Sequence, residues 1–329
     1  MHWLKAAVVA AVVLLPASAI AAEKIAIPSE TPKSLADLIH HAGAPTTVVG
    51  YLYLPKQASG PVPALILKHG SGGLDGPTGD NIRRWAETLA NWGVAAFVVD
   101  SFGPRHITQT GTDQAQLSSA ADLADALSAL KVLAADPRID ATRIGVMGWS
   151  RGGGPAMLSA LDSTVRNVLG DGAPRFAAHI VLYGPAMLQY RDKATDGAPF
   201  LFLHGGADDY VPVGPTREWA DWIRSMGNAV TFVAYPGAYH DFDVEGTPDG
   251  FNPRLQNTSH CDAIIDVSTT HVLRLDHKPP PASMTPQIFA DYMRSCSQLG
   301  ATLRYNRSGR EDAVEQVHAF LRQVFHLPA

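Results

Sequence analysis

The chain has 329 residues, 46% of them hydrophobic and 17% charged, with a formal net charge of −5. That composition can close a large core and excludes the highly charged, apolar-poor class of disordered chains. The acidic balance gives a nucleic-acid backbone nothing to bind, so no nucleic-acid partner is expected.

In chain order, the first feature is a leader. Met1 to Lys5 is short and basic, Ala6 to Leu15 is a run of ten apolar residues, and Ala17-Ser18-Ala19-Ile20-Ala21-Ala22 offers small residues to a signal peptidase. Residues 1–21 therefore read as a secretory signal cleaved after Ala21, with Ala19 as the alternative, and the protein is expected to be exported to a periplasmic or extracellular space. Ten helical residues cover only about half of a bilayer core, so no stable membrane anchor is expected. No linker, charge block or internal repeat divides the remainder, and residues 22–329 are expected to form a single domain.

Short runs rich in Val, Ile, Leu and Phe then alternate with longer segments of helical period. The apolar runs predict strands over Thr47 to Leu54, Ala64 to His69, Ala95 to Asp100, Ile144 to Gly148, His179 to Tyr183, Phe200 to His204 and Val230 to Tyr235. Helical period predicts helices over Asn81 to Trp92, Asp113 to Ala135, Gly152 to Leu161, Pro215 to Met226 and Arg310 to Phe325. This alternation belongs to an α/β fold with a mostly parallel sheet covered by helices on both faces. Residues 241–303 break the pattern and carry Lys278-Pro279-Pro280-Pro281, so they read as an irregular insertion, a cap beside the site or a surface excursion. The insertion holds the only two cysteines, Cys261 and Cys296, whose pairing fits an exported protein.

Four segments carry the chemistry. Gly148-Trp149-Ser150-Arg151-Gly152 is the only G-x-S-x-G in the chain, with a predicted strand before it and a glycine-opened helix after it. That context is a turn with small residues two before and two after an exposed serine, which makes Ser150 the candidate nucleophile. A serine hydroxyl needs a base, and the base needs an orienting acid. In a sheet of this kind the expected order is Ser, then acid, then His, all at carboxyl ends of strands. Asp208, in Gly205-Gly206-Ala207-Asp208-Asp209-Tyr210-Val211-Pro212, is the preferred acid, with Asp209 the alternative, and His240 follows the next strand as the candidate base. Backbone N–H groups for an oxyanion are expected from Arg151 and from Ser71, or its neighbour Gly72, in His69-Gly70-Ser71-Gly72-Gly73.

Trp149, Arg105 and the Arg151 side chain are candidate substrate contacts, Arg105 for a substrate carboxylate; packing or ion pairing is the alternative for each. Asp75 stands where the third glycine of G-x-G-x-x-G would, and no G-K-[ST] occurs, which argues against a nucleotide site. With no H-E-x-x-H and no chelating cysteine pair, neither a metal nor another cofactor is expected.

These segments, with Asp100-Ser101-Phe102 and Asp136-Pro137-Arg138-Ile139-Asp140, resemble the dienelactone hydrolase-like family of α/β-hydrolases over roughly Val48 to Phe242 plus the last helix. The resemblance implies the α/β-hydrolase fold and a Ser or Cys, Asp, His triad falling on Ser150, Asp208 and His240. Dienelactone hydrolases proper use cysteine; serine here, and an exported chain, turn the expectation from dienelactone toward another small-molecule ester. A peptidase or amidase is the alternative, because prolyl-oligopeptidase catalytic domains share the residue order, and a non-catalytic binding protein on the same fold is the second.

Overall fold

The computed structural model describes residues 21–269 and 271–328, so all but the last residue of the expected leader lies outside the described residues. The elements in chain order are β1 (Glu23–Thr31), α1 (Leu35–Ile39), β2 (Ala44–Tyr53), β3 (Val62–Lys68), α2 (Gly76–Asn91), β4 (Ala95–Asp100), α3 (Ser119–Ala134), β5 (Ile139–Trp149), α4 (Gly153–Leu158), α5 (Asp162–Leu169) and β6 (Ala178–Leu182). There follow β7 (Leu188–Arg191), β8 (Phe200–Gly205), α6 (Val213–Ser225), β9 (Val230–Tyr235), β10 (Gly250–Asn257), β11 (Ala263–Asp266), β12 (Val272–Leu275), α7 (Pro286–Cys296), β13 (Gln298–Leu303) and α8 (Arg307–Phe325). Among the described residues no helix is long and apolar enough to cross a membrane.

The main sheet has eight strands in the order β1-β2-β4-β3-β5-β6-β8-β9. The first two pairings, β1 with β2 and β2 with β4, are antiparallel, and the other five are parallel. Alternate side chains of a strand enter opposite cores. In β3, Ala64 and Ile66 join the core under α3 and α6, whereas Leu65 and Leu67 join the core under α2 and α8. Side chains buried on both faces explain why the central strands are nearly continuous apolar runs.

The structure differs from the sequence-based expectations in several places. Strand β1 was not expected: its apolar residues are few and Pro28 interrupts them, which an edge strand pairing on one side tolerates. The helix expected over Asp113 to Ala135 begins only at Ser119, where the Ser118 side chain accepts from the Ala121 N–H. The helix expected over Gly152 to Leu161 is shorter, α4 ending at Leu158 with Ser159 closing it, and α5, beyond that segment, was not expected.

The largest correction concerns residues 241–303, which are not irregular. Strand β10 pairs with β13 antiparallel, and β11 lies between β12 and the parallel β7. Cys261 and Cys296, 35 residues apart, form a disulfide that ties the chain just before β11 to the end of α7. β10, β13 and β7 pair only with distant partners, and all these strands are short or half exposed, so they carry no long apolar run by which to recognise them.

Candidate active site

Strand β5 ends at Trp149 and the chain turns at Ser150 with φ 50°, a left-handed conformation costly for a side chain bearing Cβ. Neighbouring glycines permit the turn. A Cβ on Gly148 would lie 1.9 Å from the Gly152 carbonyl oxygen, and one on Gly152 would lie 2.1 Å from that of Lys68. Gly70 serves close approach as well, since a Cβ there would lie 3.2 Å from Cβ of Ser150.

Asp208 follows β8, and His240 follows β9, the next strand in the sheet. The fold brings them onto Ser150: His240 Nε2 is 2.8 Å from Ser150 Oγ, and His240 Nδ1 is 2.8 Å from Asp208 Oδ2. An ionised carboxylate only accepts, so the imidazole proton belongs on Nδ1 and the serine hydroxyl donates to Nε2. Asp208 Oδ1 accepts from the N–H groups of Tyr210 and Val211 at 2.9 and 2.8 Å, which fixes the carboxylate plane. All three side chains are buried. Burial pulls the His240 pKa down, and the Asp208 charge and hydrogen bond more than reverse it, so the imidazole titrates above its ordinary value.

The alternative acid, Asp209, does not reach the histidine; its carboxylate accepts from the N–H and hydroxyl of Thr302, both at 2.7 Å. Arg105 is a correction: its guanidinium forms a two-pronged pair with Asp125 at 2.7 and 3.0 Å and donates to the Ser101 and Glu30 carbonyls, leaving it turned to structure. The Arg151 side chain is engaged with Asp122 at 2.6 Å and with Gln114, yet it still lines the cavity wall. Trp149 packs behind the turn and donates Nε1–H to Asp243 at 2.9 Å.

Ser150 opens onto a cavity of two lobes that share Ser71, Ser150 and Tyr210. The larger, of about 460 Å³, runs past Gly154 and Met157 to Trp219 and to Met293 of α7. The smaller, of about 240 Å³, contains His240 and is walled by Trp149, Asp241 and Leu303. Residues 241–303 thus contribute to both walls. Among the described residues no three His, Cys, Asp or Glu side chains are grouped to hold a metal ion.

Sequence reasoning missed four residues here. Tyr210 and Tyr183 meet the His240 ring edge-on, at 4.9 and 4.6 Å between centroids. Gln114 Nε2 donates to Ser71 Oγ at 2.9 Å and to the Tyr210 hydroxyl at 3.1 Å, holding the early loop against the acid loop. Asp243, fully buried, accepts from Asn81, Trp85 and Trp149 on Oδ2 and from the Tyr183 hydroxyl on Oδ1. Only Tyr210 carried a local signal, its place directly after Asp208-Asp209.

With this geometry in hand, comparison with known proteins is informative. The model of the Dienelactone hydrolase family matches residues 48–267. The chain belongs to that family. It is accordingly a hydrolase of the dienelactone hydrolase and esterase type, with the α/β-hydrolase fold. The family match runs past Phe242 into the segment expected to lie outside the common core, consistent with β11 pairing to β7. A protein of Methylorubrum extorquens named "Putative carboxymethylenebutenolidase" is 26% identical over 218 residues, covering 61% of this chain and 70% of its own. Among solved structures, a dienelactone hydrolase-like promiscuous phosphotriesterase from metagenomic libraries superposes with a TM-score of 0.51 at 17% identity, over 92% of this chain and 99% of its own; this likeness is one of fold. A propionate-bound esterase of Thermogutta terrifontis matches with a TM-score of 0.48 at 21% identity, over 61% of the hydrolase and 82% of its own chain.

Proposed function

We propose that this hydrolase cleaves carboxylic esters of small molecules through an acyl-enzyme on Ser150. His240 removes the hydroxyl proton as Ser150 Oγ attacks the ester carbonyl, and Asp208 holds the imidazole in the tautomer that can do so. The N–H groups of Ser71 and Arg151 receive the oxyanion, a contribution worth about a hundredfold or more per donor in such sites. Collapse of the tetrahedral intermediate expels the alcohol, which takes the proton from His240 Nε2, and water then releases the acid by the same steps reversed.

The observation that carries this reading is the continuous hydrogen-bonded chain from Ser150 Oγ through His240 to Asp208. The departing oxygen must lie beside His240, and the imidazole lines only the smaller lobe, so that lobe receives the alcohol and the larger one the acyl group. The test is a serine-directed phosphonate with p-nitrophenyl butyrate as reporter. Stoichiometric labelling of Ser150 with loss of turnover is expected; hydrolysis unimpaired in Ser150→Ala would place the chemistry elsewhere.

The location follows the same logic. Residues 1–21 act as an export signal, and the Cys261–Cys296 disulfide supports this reading because disulfides persist in oxidising compartments. Mass spectrometry of the mature protein should find an N-terminus at Ala22; an intact Met1 would refute it.

A further inference from the structure

The smaller lobe contains an imbalance of hydrogen-bonding groups. Asn81, 1% exposed, donates Nδ2–H to Asp243 Oδ2 at 3.0 Å. A carboxylate accepts and does not donate, so this contact fixes the amide orientation and leaves Asn81 Oδ1 as the acceptor, buried and without a partner among the described residues. Asp241 lines the same lobe directly beside His240, and among the described residues its carboxylate receives one hydrogen bond, from Thr247 Oγ1 at 3.3 Å. Asp241 holds φ 57°, a left-handed conformation that aspartate tolerates better than most residues and that glycine adopts freely. Among the described residues no lysine or arginine lines this lobe, whose walls combine the apolar Ile82, Val244 and Leu303 with the polar Ser71, Thr78 and Gln109.

Asn81 Oδ1 is a buried acceptor with no donor among the described residues, and the half-buried Asp241 carboxylate has one long hydrogen bond, whereas buried polar groups are ordinarily satisfied. We propose that the leaving group is a polyhydric alcohol, whose further hydroxyls donate to the Asp241 carboxylate and to Asn81 Oδ1 while its ester oxygen sits at His240. The proposal rests on the ester-hydrolase reading above and adds the class of alcohol. It involves no new bond-making step: the polyol leaves with the proton from His240, as any alcohol would. Burial first, opposed by His240 and reinforced by the Asp243 and Asp208 carboxylates, raises the Asp241 pKa, as expected of an anion short of donors.

Three butyrate esters with the same acyl group test this: 1-butyrylglycerol, 2-methoxyethyl butyrate, whose alcohol has an ether oxygen but no further donor, and butyrylcholine, which carries charge without a donor. The expected kcat/KM for the glyceryl ester exceeds that for each of the others by about tenfold or more, the range for a hydroxyl donating to a charged acceptor. In Asp241→Gly, which suits the positive φ, the ratio of glyceryl to methoxyethyl ester should fall toward one, and in Asp241→Asn to an intermediate value. Equal rates on all three esters with the native enzyme, or a preference for butyrylcholine, would overturn the polyol assignment while leaving ester hydrolysis intact. Failure to hydrolyse any of them, or p-nitrophenyl butyrate, would instead remove the ester-hydrolase reading on which it stands.

Discussion

Asp243 offers the most quantitative test of how the site is held together. Its Oδ2 accepts from Asn81 Nδ2, Trp85 Nε1 and Trp149 Nε1 at 2.9 to 3.1 Å, its Oδ1 from the Tyr183 hydroxyl at 2.6 Å, and Arg310 lies 3.7 Å away. Asp243→Ala strands four donors. Each stranded buried donor costs about 1–3 kcal/mol, and even at the low end, with water entering the void, the sum is about 4 kcal/mol. Asp243→Asn behaves differently, because the amide oxygen can still face the three N–H groups while its NH₂ donates to the Tyr183 oxygen. What is lost is charge assistance and the attraction to Arg310, about 1–2 kcal/mol. Urea unfolding midpoints, compared at a common slope, read both values. The alanine variant should be the less stable of the two by about 2 kcal/mol or more, and its ester turnover should fall with it, because Trp149 precedes Ser150 and Tyr183 packs on His240. An alanine variant as stable as the asparagine variant would show that Asp243 does not organise these donors.

Ester turnover should rise with pH through a single ionisation, because the imidazole is a base only when neutral. Its midpoint should lie above the ordinary histidine value of about 6.5, since the Asp208 charge outweighs burial. Asp208→Asn removes the raising influence, so a pH–rate profile should show the midpoint moving down and kcat falling by about 10⁴-fold. Gly154 lines the larger lobe and a Cβ there meets nothing within 4 Å; Gly154→Leu should therefore fold normally and reduce kcat/KM for octanoyl far more than for acetyl p-nitrophenyl esters. Cys296→Ser frees a 35-residue separation and should lower stability by up to about 4 kcal/mol on the chain-entropy account, read as a fall in the thermal midpoint.

The three groups that meet at the site were legible because each stands where a strand ends and local sterics are severe. Gly148 and Gly152 have no room for a Cβ, and that constraint is written into the sequence as G-x-S-x-G. Asp208 was preferred over Asp209 on motif position, and the structure separates them in the same sense: one carboxylate meets His240 and the other meets Thr302. What escaped were pairings over long distances between residues with no periodic signature. Nothing around Arg105 reveals that Asp125, inside a helix 20 residues later, takes up its charge. Asp243 likewise looks like an ordinary acid after the His240 loop until α2, β5 and β6 deliver four donors to it. The strands of residues 241–303 were missed for the same reason, since β10 and β13 find each other only once α7 has returned the chain.

That segment does more than add walls to a finished site. Thr302, in β13, binds both carboxylate oxygens of Asp209, the residue next to Asp208. One residue further, Leu303 bridges to His240, and the Arg304 N–H donates to the His240 carbonyl at 3.0 Å. The Asn306 N–H then donates to the Phe242 carbonyl at 2.8 Å. A single strand end therefore straps the acid loop and the histidine loop together, while the strand it pairs with, β10, carries Leu255 into the smaller lobe. Since about 1 Å of misplacement in a catalytic constellation costs on the order of a hundredfold in rate, the proposed mechanism would depend on the backbone that holds these loops as much as on the side chains. On the proposed mechanism specificity and turnover are mechanically joined: changes to the buried side chains of β10 and β13 should act on both, and changes confined to α7 and the floor of the larger lobe on acyl selection alone.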